Sequence, residues 1–468
     1  SEIKALLVFP GVGRNIRSDR VYEYLRNGSS DGTPETMFDS VRQLPPGHYV
    51  SVPLDAAKWP EPEMFWAPVR RGPLQISFEE AAKTLRELFL ESVRFHLRSD
   101  VPIGACLSGG IDSSAIVRSM REVGGSALDL HTFTYAEADV GVGEEKWADV
   151  VNREAGAMAH KVRLGPDQLQ QDFERLIAAQ DEPFLSTSIY AQHCVFRAAR
   201  DSGMVVMLDG QGADEILGGY WPLISARIAS LLQSGSFVRA WRLFLNCSKL
   251  PGARKGYFAS RTGAALIPRD WQRGIFRLLG RAPEPVWMNA KWFRDRNAAS
   301  NRAIRPSSNG NELLKTALER MLVETSLPCL LRYEDRNSMA FSIESRVPFL
   351  TPAIVDFVYA LPEDYIIGED ATTKRVFRAA MRGLVPDVIL DRRDKIGFAT
   401  ADFQWFVKLR PWVEGVLDSE TARSIPVIDS DRILKRFRSG IESGSFDEGL
   451  WRCLNLIEWS RQYGVQYN

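Results

Sequence analysis

The run Leu107-Ser108-Gly109-Gly110-Ile111-Asp112-Ser113-Ser114 lies between an apolar, strand-like stretch and a helical pattern. Its glycines let the backbone approach a phosphate closely. Its hydroxyls and exposed N–H groups donate to anionic oxygens, and the helix start behind it carries partial positive charge. A pyrophosphate would be well held by such a loop, although a glycine-serine turn also serves simply to join a strand to a helix. Neither G-x-x-x-x-G-K-S/T nor G-x-G-x-x-G occurs in the chain, so the phosphate cradles of Walker-type NTPases and of dinucleotide dehydrogenases are absent.

A loop of this kind acts only if a sheet and a helix hold it in place. Ser77-Phe78-Glu79-Glu80 has the order of a capping box, and Leu85, Leu88, Phe89 and Phe95 follow at helical spacing, which predicts a long helix opening the next unit. Four strand-like runs come next: Ile103 to Leu107, Leu130 to Tyr135, Lys161 to Leu164 and Met204 to Leu208. Helical patterns alternate with them, such as Ser113 to Val123 before Gly124-Gly125 and Ala191 to Asp201 before Gly203, and this alternation predicts an α/β fold with a parallel sheet wound with helices. Ligands then belong at the carboxyl ends of the strands.

Around this unit the chain divides into residues 1–73, rich in Gly, Pro and Ser and expected to be peripheral or linking; the α/β region 74–230; a stretch 231–310 without a clear period, read as an insertion; and a mostly helical 311–468. The length of 468 residues suits two to three domains at about 150 residues each. Lys+Arg and Asp+Glu both number 59, so no overall basic excess drives binding to nucleic acid or anionic membranes. The five cysteines, Cys106, Cys194, Cys247, Cys329 and Cys453, are scattered without a C-x-x-C pair, which argues against a disulfide framework or a zinc site and for buried thiols. No run approaches the ~18 apolar residues of a membrane span, and the first residues lack the order of a signal peptide, so a cytoplasmic protein is expected.

Ser108 to Ser114 resemble the PP-loop of the ATP pyrophosphatases, the adenine nucleotide alpha-hydrolase-like fold, which split ATP between its α and β phosphates. Val101-Pro102-Ile103-Gly104, Leu208 to Tyr220 (LDGQGADEILGGY), Ser342 to Leu350 (SIESRVPFL), Arg392 to Phe398 (RRDKIGF) and Leu450 to Asn455 (LWRCLN) resemble, in register, the asparagine synthetases. The resemblance implies an ATP-dependent, amide-forming ligase. ATP would sit on Ser108, Gly109, Gly110, Asp112, Ser113, Ser114 and Gly210, with the Leu107 backbone near the adenine. Asp112 and Asp214 match the family's Mg2+ aspartates, a chemically reasonable role because magnesium at ATP phosphates uses one or two carboxylates. Read without the family, Asp214-Glu215 is a solvated helix start or cap. Lys395 matches the lysine that stabilises charge as carboxylate and α-phosphate react, whereas Arg392 and Arg393 read equally as a surface charge run.

Gln211 departs from the glutamate usual in the family at that place. An amide binds but does not deprotonate near neutral pH. The carboxylate substrate is thus aspartate or a related acid, the amine is ammonia or another, and the base falls to Glu334, Asp335 or Glu344; Glu344-Arg346 is equally a structural ion pair. Ser1 to Leu7 and Leu44 to His48 resemble the tail of the glutaminase domain that precedes the synthetase domain in this family, so a glutaminase domain or subunit is expected to be missing from this chain. A homodimer, with no nucleic-acid or membrane partner, completes the expectation. A PP-loop tRNA-modifying enzyme is the second class, supported by the basic stretch Arg273 to Arg305 and opposed by the lack of a C-x-x-C pair. A non-catalytic nucleotide-binding relative is the third, favoured by Gln211 and opposed by the intact loop and Lys395.

Overall fold

Five short strands build one all-parallel sheet: β1 (Ile103–Cys106), β2 (His131–Glu137), β3 (Met158–Leu164), β4 (Val206–Leu208) and β5 (Glu344–Arg346), in the order β3-β2-β1-β4-β5. The computed structural model describes residues 2–55, 58–68, 72–137, 145–267, 284–298, 312–394, 402–445 and 447–468. The first four strands fall where the apolar runs predict them, with β3 starting at Met158 rather than Lys161. β5 has no apolar signal, being Glu-Ser-Arg. Its neighbour holds it: Leu208 pairs with Arg346, the Glu344 N–H donates to the Val205 carbonyl at 2.9 Å, and the Asp209 N–H donates to the Arg346 carbonyl at 2.9 Å.

The chain passes from β1 outward through β2 and β3, then returns to β4 on the other side of β1, so the strand order reverses between β1 and β4. At such a reversal the connections leave in opposite directions and a crevice opens at the carboxyl ends. Helix Ile111–Gly124 follows β1, helix Glu145–Ala155 joins β2 to β3, and helices Pro166–Gln180 and Ser188–Asp201 join β3 to β4. The helix ahead of the sheet, Phe78–His96, is capped as its sequence predicts, the Ser77 Oγ accepting from the Glu80 N–H at 3.2 Å. Its inward face is Ala81, Leu85, Phe89 and Val93. Leu88 is half-buried, and Phe95 falls off that stripe and stays exposed with the Arg98 guanidinium 4.9 Å from its ring.

Two large cores flank the site. One joins the helix Phe78–His96 and the sheet to Leu314, Phe349, Phe377 and Leu390, and so ties the α/β part to the helices behind it. The other packs Ile16, Val21, Tyr24 and Phe38 against Phe173, Trp451 and Trp459, so residues 3–41 bury side chains against the last helix, Glu448–Tyr463. The described residues of 44–55 and 58–68 stay mostly exposed, Leu54, Trp59 and Phe65 among them. The stretch 221–266 folds into helices Trp221–Gln233, Phe237–Cys247 and Lys255–Leu266, and beyond β5 the described residues are mainly helical, as expected for the last part of the chain. The basic stretch Arg273 to Arg305 lies outside the described residues except for 284–298. No described helix is long and apolar enough to cross a membrane. All five cysteines are free thiols; Cys194, Cys247 and Cys453 are buried as expected, whereas Cys106 and Cys329 are only half-buried.

Candidate active site

A cleft of about 590 Å³ opens at the reversal of strand order, bounded by the turn after β1, the turn after β4, and the segment 370–394. In the first turn the Ser108 N–H donates to the Ser113 Oγ at 3.2 Å, the two Oγ atoms lie 3.1 Å apart, and the Gly110 N–H reaches the Ser108 Oγ at 3.3 Å. These bonds turn the loop back onto the start of helix Ile111–Gly124, whose first N–H groups have no partner within the helix. Gly109 is obligatory: its φ is +76°, and a Cβ there would lie 2.6 Å from the Ala148 nitrogen and from the Trp147 Cβ. Arg392 braces the loop from outside, its Nη1 donating to the Gly109 carbonyl at 3.0 Å and its guanidinium lying 4.8 Å from the Trp147 ring centroid. The surface-charge reading is thereby corrected for Arg392, whose side chain is 8% exposed. Arg393 remains exposed, 3.5 Å from Asp370.

Lys374 closes the cleft. Its Nζ lies 2.5 Å from Asp112 Oδ2 and 2.6 Å from Asp214 Oδ1, so the two aspartates that the sequence pairs across about a hundred residues do meet, on one buried ammonium. Burial works against that charge, but the two carboxylates outweigh it and hold the Lys374 pKa above its ordinary value. Arg378 sits beside it, half-buried, donating to the Thr373 carbonyl at 2.8 Å and the Arg392 carbonyl at 2.9 Å. Burial lowers its pKa to about 10, and it stays charged at neutral pH. Glu215 is no solvated helix start: it is buried and accepts from the Tyr220 and Ser326 hydroxyls at 2.7 Å each, and burial raises its pKa.

Gly219 permits this arrangement. A Cβ on it would fall 1.6 Å from Asp214 Oδ1 and 2.5 Å from Lys374 Cε. We expect Gly219→Ala to separate Asp214 from Lys374, lower the unfolding temperature and weaken Mg2+-ATP binding measured by calorimetry; unchanged values for both would contradict the close packing.

Of the residues singled out in the sequence, Ser108, Gly110, Asp112, Ser113, Gly210, Gln211 and Asp214 line the cleft. Leu107 and Ser114 are buried beneath the loop, Leu107 donating to the Phe133 carbonyl at 2.9 Å. Lys395 lies outside the described residues. Glu344 is not part of the cleft; it sits at the far end of β5, exposed, with the Arg346 Nε 2.7 Å away. Asp335 is half exposed and pairs with Arg336 at 2.7 Å. Glu334 is buried behind Gln211, whose amide nitrogen is 3.4 Å from it. Lys374 and Arg378 escape a reading of the sequence because a basic residue at the start of or within a short helix looks like surface, and Gly219, though inside the Leu208–Tyr220 motif, has no side chain to signal its role. Asp209 could have been found, since it directly follows a strand at its carboxyl end.

Among the described residues no three His, Cys, Asp or Glu side chains gather as a metal site. Two carboxylates beside a phosphate loop nevertheless suit magnesium, a hard cation that takes its remaining ligands from phosphates and water. That Asp112 and Asp214 already reach one cation, the Lys374 ammonium, shows that both can serve a common centre.

A family model described as asparagine synthase matches residues 84–461. Among curated proteins, the chain is 26% identical over 414 residues to asparagine synthetase 1 (glutamine-hydrolysing) of Bacillus subtilis, covering 83% of this chain and 60% of that protein. It is 27% identical over 440 residues to a putative asparagine synthetase of Mycobacterium tuberculosis, covering 91% and 65%, and 24% identical over 451 residues to the amidase chry2 of Gibberella zeae, covering 84% and 63%. The chain thus spans about three fifths of the length of the curated relatives it matches.

Proposed function

Since the chain belongs to the asparagine synthase family, we propose that it is an ATP-dependent ligase that activates a carboxylate as its adenylate and joins it to an amine. The carboxylate oxygen attacks the α-phosphorus, the bond to the β-phosphate oxygen breaks, and pyrophosphate leaves. The amine nitrogen then attacks the acyl carbon and AMP departs. The observation that carries this reading is the meeting of the Ser108–Ser113 loop, Asp112 and Asp214 with Lys374 and Arg378 in one cleft. Loop N–H groups and hydroxyls suit the β and γ phosphates, and the two cations suit the charge that builds on leaving pyrophosphate. Magnesium, when held by Asp112 and Asp214, neutralises phosphate charge.

The substrate is proposed as aspartate or a related acid, with ammonia or another amine as acceptor. The relatives' names support both breadths, since they include asparagine synthetases and an amidase. The test is to supply ATP, ammonium chloride and a panel of carboxylates beginning with aspartate. Pyrophosphate and AMP released together, only with a particular carboxylate, is the expected result. Release of ADP and inorganic phosphate would overturn the reading.

Lys395, carried over from the family resemblance, is assigned to the charge developing between carboxylate and α-phosphate. Loss of such a preorganised cation costs about 10²–10³ in rate. Lys395→Ala is therefore expected to stop exchange of labelled pyrophosphate into ATP, while Gln211→Ala retains it and slows the aminolysis step. The opposite pattern would exchange the roles of the two residues.

A further inference from the structure

At the floor of the cleft the polypeptide buries more acid than the adenylation chemistry uses. Asp209, first residue after β4, lines the cleft. Behind it the Glu334 carboxyl, 3% exposed, is held on both oxygens: Ser345 Oγ donates to Oε1 at 2.5 Å, and the amide nitrogens of Gln192 and Gln211 donate to Oε2. Gln192 is fixed in turn by Asn337, whose Nδ2 donates to its Oε1 at 2.8 Å. Asp209 and Glu334 lie within electrostatic reach of each other, and the Cys106 thiol lies beside Asp209. Two neighbouring acids, one buried and one half-buried, cannot both ionise cheaply, so they share one proton. Burial raises both carboxyls, and Glu334, 3% exposed and facing the Asp209 charge, is the costlier to ionise, so the shared proton rests on Glu334 and the carboxylate on Asp209, the half-buried member that lines the cleft. Gln211, at the lip, spends its amide N–H on Glu334.

We propose that Asp209 is the catalytic base of the aminolysis step, with Glu334 as the residue that positions it. The inference deepens the ligase reading and rests on it. An ammonium ion in the cleft first gives one proton to an Asp209 oxygen, and the ammonia so formed attacks the acyl carbon, its nitrogen shedding a second proton to water as the amide forms. The acyl C–O bond breaks, AMP leaves with that oxygen, and the proton on Asp209 is returned to water. Asp209 thus supplies what Gln211 lacks, and neither Asp335 nor Glu344 is needed, since both lie outside the cleft lining. A carboxylic acid donating to a carboxylate fixes the orientation of the latter, as the second member of an acid pair does elsewhere.

The experiment uses the whole chain, the carboxylate that supports pyrophosphate release in the panel above, and two nucleophiles: ammonium chloride, which must lose a proton before it attacks, and hydroxylamine, which is neutral near pH 7. Asp209→Asn is expected to lower amide formation from ammonium by about 10² or more, the usual share of general base catalysis. Pyrophosphate exchange into ATP and hydroxamate formation should persist, which a folding defect would not allow. Glu334→Gln should show the same split, less deeply. Undiminished amide formation in Asp209→Asn would overturn the proposal, and so would a parallel fall of exchange, hydroxamate and amide. Failure of every carboxylate to release pyrophosphate in the unsubstituted chain is a different result: it removes the ligase reading first and this assignment with it.

Discussion

Asp112→Asn lowers ATP-dependent pyrophosphate release by about 10²–10³, the range for removing one preorganised electrostatic group at a reacting centre. Asp112 stands in the first turn of helix Ile111–Gly124, is the counter-charge of Lys374, and is proposed as a ligand for a divalent cation. The amide keeps the shape of the side chain and the lysine keeps Asp214, so the helix and the core beneath the loop remain intact. The expected result is a cooperative unfolding transition close to that of the unsubstituted chain, together with lost pyrophosphate release and weakened Mg2+-ATP binding. Undiminished release would remove Asp112, and with it the phosphate loop, from the chemistry.

Lys374→Met acts through stability as well as rate. The methionine keeps most of the volume of the lysine stem but leaves Asp112 and Asp214 facing each other with no cation between them. Removing one partner of a buried ion pair costs about 3 kcal/mol at the low end of the usual range, and the low end applies because the two aspartate side chains are 22% and 21% exposed. The loss should be seen in urea unfolding in EDTA, and Mg2+ should restore much of it by taking the place of the ammonium. In the unsubstituted chain the folded-state pKa of Lys374 is raised. Its contribution is therefore complete below the unfolded value of about 10.4 and fades only as the pH rises through the folded value. In the variant the paired carboxylates repel, so the deficit is largest at neutral pH and shrinks as they take up protons in acid. Equal stability of the two chains in EDTA, or no response to Mg2+ in the variant, would mean that Lys374 does not hold the site together.

The local pattern was sufficient for the loop and its frame. Glycines at 109 and 110, the apolar run before them and the helical period after them specify a strand-turn-helix on local grounds, because backbone freedom and the periodicities of burial are properties of neighbouring residues. The same reasoning located β1 to β4 and the Ser77 cap, and hence the end of the sheet at which the cleft opens. Even there the period left the last turn open: Phe95 has the right type for the inward face but the wrong phase.

What faces the loop was decided only by the tertiary structure. Lys374 is 262 residues from Asp112, and in sequence it is one basic residue among Thr, Lys and Arg. Arg392 has the composition of a surface charge run but is buried by Trp147 and the Gly109 carbonyl. β5 has no strand signal of its own, because its hydrogen bonds are furnished by β4 rather than by its side chains. Asp209 and Glu334, 125 positions apart by number, become a pair only when the turn after β4 packs on the helix Leu327–Met339. The physical reason is common to all four. Charge, polarity and period in one segment tell which atoms need water or a partner, but the partner of a buried charge lies on a different segment, and only the packing of the two sets its distance and its protonation.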